Sequence, residues 1–509
     1  MPLLLPVLFF VLVLSSAARA QFAPAPLPTD LSGFPDAARM RFGYITVPEN
    51  RANPVKTIRL AVVIIPALSS TPQPDPVFYV VGGPGGSATL SSGGFPVFKE
   101  LNKNRDIVFL DPRGAGLSDP NLFMRREGAS IGEFTRNNRS YFQSQGIDIS
   151  AYNTTEIAQD YEAARIALGY TQINLFANSY GTFVAQEILR RFPANLRAVV
   201  MSGNSPATDP FLPATLPIEK HGIDELIRDV RHSRAANRAF PHFSTTFYKV
   251  LASLNEKPVK LRVKIRHTTR TELLTIDGRQ FLDTLSELLQ RTETIRLLPL
   301  LVQQLEKKSY NSLVRSLFEQ RDEKRRDNSF GMYLSVLGTD FGAPGYVRAT
   351  ERGVVSVHNR TLIRTEGPQL FELAELVVNW GAPYNPGNTR TLPQSLVRTL
   401  FLNGRMDAQT PVSGGALIAL GVPNSINYVY PRIGHGVGFD YGPDLDAAVS
   451  FLENPAQPPA YSTGALLRRN FYQTRLTAGK SRELDTLRDL PIDPPIGRLF
   501  GDSTSDEQE

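Results

Sequence analysis

Leu175-Phe-Ala-Asn-Ser-Tyr-Gly-Thr-Phe-Val184 decides how the chain is read. Ile173, Leu175 and Phe176 have the character of a buried strand. The apolar run stops at Ser179, which is flanked by small residues. Past it, Phe183, Val184, Ala185, Ile188 and Leu189 recur at helical spacing. One reading is an ordinary turn, for which Ser beside Gly is common. The other is a nucleophile elbow, in which a strand ends, the chain reverses on a strained Ser and a helix begins. Gly181 would let that helix pass close to the strand, and Ala177 takes the place usually held by the first Gly. The two readings separate only if Ser179 has partners elsewhere in the chain.

A Ser nucleophile needs a base, an acid that orients the base, and donors for an oxyanion. Asp407, in Leu402-Asn-Gly-Arg-Met-Asp-Ala-Gln-Thr-Pro-Val412, follows the strand-like run Val397-Arg-Thr-Leu-Phe-Leu402. A carboxylate there would be presented at the edge of a sheet, although Asp in a turn is the commoner meaning of such a position. His435, in Tyr430-Pro-Arg-Ile-Gly-His-Gly-Val437, lies between glycines that let a loop carry the imidazole toward the Ser. The chain has six His, and His435 alone lies C-terminal to Asp407. The others (His221, His232, His242, His267 and His358) read as surface or structural side chains. Gly82-Gly-Pro-Gly-Gly86 directly follows the strand-like Val77–Val81. Its Gly83, Gly85 and Gly86, together with the N–H of Tyr180, are the expected oxyanion donors. A phosphate-cradling loop is the rival for these glycines, but no Lys-Ser/Thr pair follows at the required spacing.

Around this constellation, strands and helices alternate from Gly43-Tyr-Ile-Thr-Val47 to Ala198-Val-Val-Met201, which predicts a mostly parallel α/β sheet flanked by helices. From 205 to 395 the pattern is mostly helical, and a buried strand pattern returns at Val397. The expected organisation is a leader at 1–20, a core in two parts at 21–204 and 396–460, a large helical cap insertion at 205–395 and a C-terminal extension at 461–509. Phe22-Ala-Pro-Ala-Pro-Leu-Pro28 reads as a loose Pro-rich segment. Pro2–Leu14 is nearly all apolar and Ala18-Arg-Ala20 fits a cleavage site, so export to the periplasm or medium is expected. No Lys or Arg precedes the apolar run, which is short for a membrane span, so a cleaved leader is expected rather than an anchor.

The 509 residues carry 55 basic and 49 acidic side chains, net +6, with no basic stripe interleaved with aromatics, which argues against nucleic acid. The densest charge run, Glu319-Gln-Arg-Asp-Glu-Lys-Arg-Arg-Asp327, mixes signs and reads as a solvated face. The absence of Cys excludes disulfides, thiol nucleophiles and thiolate metal sites.

The stretches Gly43-Tyr-Ile-Thr-Val-Pro-Glu-Asn50, Gly82-Gly-Pro-Gly-Gly-Ser-Ala88, Asp111-Pro-Arg-Gly-Ala-Gly-Leu-Ser118, Asn178-Ser-Tyr-Gly-Thr182, Asn403-Gly-Arg-Met-Asp-Ala-Gln-Thr-Pro411 and Gly434-His-Gly436 together resemble the prolyl and tripeptidyl aminopeptidase family of α/β-hydrolases. The chain order Ser, acid, His is that of the α/β-hydrolase fold. The resemblance implies hydrolysis of N-terminal peptide bonds through an acyl-enzyme, with Ser179 as nucleophile, His435 as proton carrier, Asp407 as its orienter, and no metal or cofactor. It implies a peptide or small acyl substrate. It makes Asp111-Pro112-Arg113 architectural, with Arg113 bracing a turn. Family members often carry Cys where this chain has Phe42, and prolyl iminopeptidases usually carry His where it has Val81. An aminopeptidase must also hold a free α-ammonium, for which cap carboxylates are suited. Glu219, Glu225, Glu372 and Glu375 are candidates, and each equally fits a solvated helix face. An exported esterase or amidase with the same triad is the first alternative, since fold does not fix the leaving group. A non-catalytic binding protein on this fold is the second, although such proteins typically lose a triad member.

Overall fold

The computed structural model describes residues 21–92, 94–265, 269–318, 328–468 and 471–474. The expected leader at 1–20, the charge run at 319–327, His267 and most of the C-terminal extension lie outside the described residues.

Nine strands form one sheet: β1 Phe22–Pro24, β2 Arg41–Pro48, β3 Thr57–Ile65, β4 Val77–Val80, β5 Ile107–Leu110, β6 Ile173–Asn178, β7 Leu196–Ser202, β10 Arg398–Gly404 and β11 Ser425–Tyr430. Their order is β1-β2-β3-β5-β4-β6-β7-β10-β11. Pairing is parallel from β5 to β11 and antiparallel from β1 through β2 and β3 to β5. The parallel strands β4, β5 and β6 are buried on both faces, which is why their sequences are continuous apolar runs rather than alternations. Two clusters of buried side chains fill the two faces, one around Phe183, Leu212 and Trp380 and the other around Phe98, Phe176 and Phe439.

Two expectations need correction. Phe22–Pro24 is not loose: it pairs antiparallel with Gly43–Ile45. Pro24 is tolerated there because β1 is an edge strand, where a missing N–H costs no ladder bond. Between β7 and β10 the chain is largely helical, but it also holds a hairpin of β8 Val259–Lys264 and β9 Thr271–Ile276. Val259-Lys-Leu-Arg-Val-Lys264 alternates apolar and basic residues with period two, which is the strand signature. Among the described residues no helix is long and apolar enough to cross a membrane.

The turn after β5 is braced from within. Arg113 is fully buried and makes a two-pronged pair with Asp160, Nε to Oδ2 at 2.7 Å and Nη2 to Oδ1 at 2.8 Å, while Nη1 donates to the Ala151 carbonyl at 2.8 Å. Arg51 supplies a second cation to Asp160 at 2.7 Å. Truncating one partner of a buried pair leaves the other charge uncompensated. Arg113→Met is therefore expected to cost about 3–5 kcal/mol of stability, visible as a lowered urea midpoint. An unchanged midpoint would show that the guanidinium is not what holds this turn.

Candidate active site

The carboxyl edge of the parallel sheet gathers the side chains singled out from the sequence. β6 ends at Asn178, and Ser179 follows with φ 56° and ψ −129°, a conformation that L-residues avoid. The helix Tyr180–Arg191 starts on the next residue. Gly181 has no alternative here, because a Cβ would sit 2.0 Å from the Val80 carbonyl oxygen. The Ser179 N–H donates to the Ser202 carbonyl at 3.0 Å, tying the turn to the end of β7.

Asp407 and His435 come from the loops that follow β10 and β11. His435 Nδ1 lies 2.9 Å from Asp407 Oδ2 and 3.1 Å from Oδ1, with both side chains buried. Oδ1 accepts the backbone N–H groups of Gln409 at 2.8 Å and Thr410 at 2.9 Å. Oδ2 accepts the Thr410 hydroxyl at 2.6 Å. Burial works to raise the Asp407 carboxyl, but the His435 imidazole and the Thr410 donors outweigh it and hold it below the usual carboxylate range. An ionised carboxylate only accepts, so Nδ1 carries the proton and Nε2 is left with a lone pair. The ring lies over Gly203, where a Cβ would be 2.9 Å from His435 Cε1. Gly203 follows Ser202, the residue that receives the Ser179 N–H, so the imidazole stands beside the elbow. The Gly436 N–H donates to the Gln290 carbonyl at 2.8 Å, which anchors the His loop to the helical insertion.

The expected oxyanion donors divide. Tyr180 and Gly83 line the same cavity as Ser179. Tyr180 opens its helix, where an N–H has no intrahelical partner. Gly85 and Gly86 do not line it: the Gly85 carbonyl accepts the Ser329 N–H at 2.9 Å, Gly86 bridges Asn328, and the Gly86 N–H is taken by the Gly82 carbonyl at 3.3 Å. The loop as a whole rests on Asp111, whose carboxylate accepts the Ser87 hydroxyl at 2.9 Å and the Thr89 hydroxyl at 2.6 Å.

The cavity, about 110 Å³, is closed on its far side by the helical insertion through Glu219, Asp283, Glu366 and Gln369. Burial, and then the neighbouring Asp283, push the Glu219 carboxyl up to about 8. Burial followed by Glu219 and Asp283 pushes Glu366 well above the ordinary range. Glu366 Oε1 and both polar atoms of Gln369 are buried without a hydrogen-bond partner among the described residues. Of the four acids weighed from sequence, only Glu219 reaches the cavity. Glu225 is engaged by Arg228, and Glu372 and Glu375 are exposed. Asp283, Glu366 and Gln369 were not anticipated. A signal existed for two of them. Along the helix Arg360–Trp380 the buried stripe runs Leu362, Glu366, Leu370, Leu373, Val377, with Gln369 beside it. A carboxyl on an apolar stripe is the informative exception. Glu219 occupies the same kind of place between Leu212, Leu216, Ile223 and Leu226.

A family model described as the alpha/beta hydrolase fold matches residues 75–440. The tripeptidyl aminopeptidase of Streptomyces coelicolor is 31% identical over 184 residues, 31% of this chain and 34% of that protein. The serine protease Hip1 of Mycobacterium tuberculosis is 28% identical over 156 residues, 26% of this chain and 29% of that protein. The chain thus spans about a third of the length of the curated relatives it matches. Among solved structures, an α/β hydrolase from Novosphingobium aromaticivorans aligns with a TM-score of 0.36 at 14% identity, covering 82% of this chain and 98% of that one. A proline iminopeptidase from Mycobacterium smegmatis aligns with a TM-score of 0.31 at 13% identity, covering 81% and 94%.

Proposed function

The chain belongs to the α/β-hydrolase fold family, matched over residues 75–440, and from that premise we propose that it is an exported serine aminopeptidase. Ser179 Oγ attacks the carbonyl of an N-terminal peptide bond, and His435 Nε2 takes the hydroxyl proton. The N–H groups of Tyr180 and Gly83 receive the oxyanion as the tetrahedral intermediate forms. His435 then gives its proton to the departing amine, and the acyl-enzyme remains on Ser179. Water, activated by the same imidazole, releases the acid and restores the hydroxyl. Asp407 holds the ring in the tautomer that each of these transfers needs.

The observation that carries the peptidase reading over the esterase one is the acidic roof of the cavity. Three carboxyl groups, those of Glu219, Asp283 and Glu366, share a desolvated space with the Ser179 side chain. An acyl ester or a blocked amide offers them nothing. An α-ammonium offers charge-assisted hydrogen bonds, each strengthened by the low dielectric. The 184-residue stretch that is 31% identical to a tripeptidyl aminopeptidase points the same way. Export rests on the leader-like residues 1–20.

The test is a matched substrate set on the chain without residues 1–20: Pro-, Ala- and tripeptidyl-anilides with free and with acetylated amines, and short acyl esters. Free-amine anilides are expected to be cleaved, and acetylation is expected to raise KM sharply. Glu219→Gln is expected to raise KM for free-amine substrates by about 10- to 100-fold, the worth of one charge-assisted hydrogen bond, and to leave acetylated ones unaffected. Protons compete with the ammonium for carboxyls such as Glu219, which burial and then Asp283 push up to about 8. KM for free amines is therefore expected to rise as pH is lowered from about 8 to 6, the window set by that raised value. Turnover of esters alone would move the assignment to an esterase.

A further inference from the structure

The residue whose backbone N–H is assigned to the oxyanion also carries a buried phenol. Tyr180 is 2% exposed, and its hydroxyl lies 2.7 Å from Thr154 Oγ1. Thr154, fully buried, opens the helix Thr154–Ala167. Its hydroxyl donates at 2.6 Å to Asp340 Oδ2, and its backbone N–H donates to the same oxygen at 3.1 Å. A Thr hydroxyl has one proton. With Asp340 ionised that proton is spent on its carboxylate, so the Tyr180 hydroxyl donates to Thr154. The chain of bonds therefore runs one way, from Tyr180 to Thr154 to Asp340, with no member exchangeable for an apolar residue at no cost.

Asp340 does not belong to the sheet or its flanking helices. It sits in the π-helical turn Leu337–Phe341, within the insertion between β7 and β10. Single π-helical turns gather at functional sites because they displace a side chain from the regular spiral. Here the turn is packed in place: the Phe341 ring lies 5.1 Å from that of Phe183, on the helix that Tyr180 opens, and the Arg390 guanidinium stacks 4.6 Å above Phe341. Burying an aspartate this completely at the foot of two helices is costly unless its bonds are needed.

The geometry points to Asp340 as a positioning residue for the oxyanion hole, a latch from the insertion that fixes the first residue of the elbow helix through the Thr154 and Tyr180 hydroxyls. The inference rests on the serine hydrolase reading given above. A donor N–H must meet the oxyanion within a few tenths of an ångström, and a misplacement near 1 Å costs up to about 100-fold in rate. Losing the latch frees Tyr180 to shift along the helix axis. The loss is felt when charge develops on the carbonyl oxygen, not when substrate binds.

The test is steady-state kinetics of Tyr180→Phe, Thr154→Val and Asp340→Ala on the best free-amine anilide, beside Ser179→Ala. Each of the three is expected to lower kcat by about 10- to 100-fold with KM within about threefold of wild type. The double variant Tyr180→Phe/Thr154→Val is expected to be no slower than the slower single, because both break one chain of bonds. Thr154→Ser, which keeps the hydroxyl, is expected to restore kcat. Tyr180→Phe removes one oxygen and leaves the Thr154–Asp340 bonds intact, so it remains informative should Thr154→Val fail to fold. A loss that appears in KM, full additivity in the double variant, or wild-type kcat in Tyr180→Phe overturns the latch while the hydrolase reading stands. An inactive wild type, or an active Ser179→Ala, overturns the hydrolase reading and the latch with it.

Discussion

Ser179→Ala is expected to abolish hydrolysis, lowering kcat by about 10⁵-fold or more, and Ser179→Gly is expected to be equally inactive yet more stable than the alanine variant. The first half follows from chemistry. Without Oγ there is no acyl-enzyme, and what remains is the modest acceleration from binding and the oxyanion donors. The second half follows from the backbone. A residue with a Cβ at φ 56° and ψ −129° pays about 1–3 kcal/mol for a conformation that glycine adopts freely. Glycine gives back about 0.5–1 kcal/mol through the greater freedom of its unfolded chain. The balance favours Ser179→Gly over Ser179→Ala by about 1 kcal/mol, read as a higher melting temperature. Strain at this position exists to hold the hydroxyl out of the helix and into the cavity. Retained turnover in Ser179→Ala would place the chemistry on another residue. A glycine variant that melts below the alanine variant would show that the turn is not strained.

Much of the core of this site was legible because its signals are local. A buried run, a Ser between small residues and an immediate helical pattern are contiguous, so Leu175–Val184 could be singled out as an elbow or a turn, and its partners then decided between the two. Asp407 needed only its place after a strand-like run, and His435 only its flanking glycines and its order behind Asp407. What escaped depends on packing between distant segments. Gly85 and Gly86 face Asn328 and Ser329, more than two hundred residues away, and nothing in Gly82–Gly86 announces that contact. Thr154 and Asp340 are likewise ordinary in sequence and meaningful only once joined. Glu366 is a different failure, because its place on the stripe of Leu362, Leu370 and Leu373 was visible. The carboxylates weighed instead, Glu372 and Glu375, sit on the exposed face, as acids on a surface helix usually do. The hairpin of β8 and β9 was also visible, in the alternation of Val259 to Lys264, and was absorbed into a helical reading of its surroundings.

Asp407→Asn is expected to lower kcat by about 10⁴-fold with little change in KM or fold, and the local hydrogen bonds say why. In the wild type every group around the carboxylate donates: the Gln409 and Thr410 N–H groups to Oδ1, the Thr410 hydroxyl to Oδ2, and His435 Nδ1 to both oxygens. An asparagine has one acceptor and one donor end. The two backbone N–H groups cannot turn away, so they claim the asparagine oxygen. The amide NH₂ must then face Thr410 Oγ1 and His435 Nδ1. The Thr410 hydroxyl can rotate to accept. The imidazole accommodates the change only by accepting at Nδ1, which moves its proton to Nε2, the atom that has to receive the proton of Ser179. The ring stays in place with the wrong tautomer, and the imidazolium formed during attack loses its counter-charge as well. Nitrogen-15 spectra of the His435 ring should show protonated Nδ1 in the wild type and protonated Nε2 in the variant, alongside the loss of kcat. Activity within about tenfold of wild type, with Nδ1 still protonated, would remove Asp407 from the catalytic group, because an orienting carboxylate is worth far more than that to a Ser–His pair.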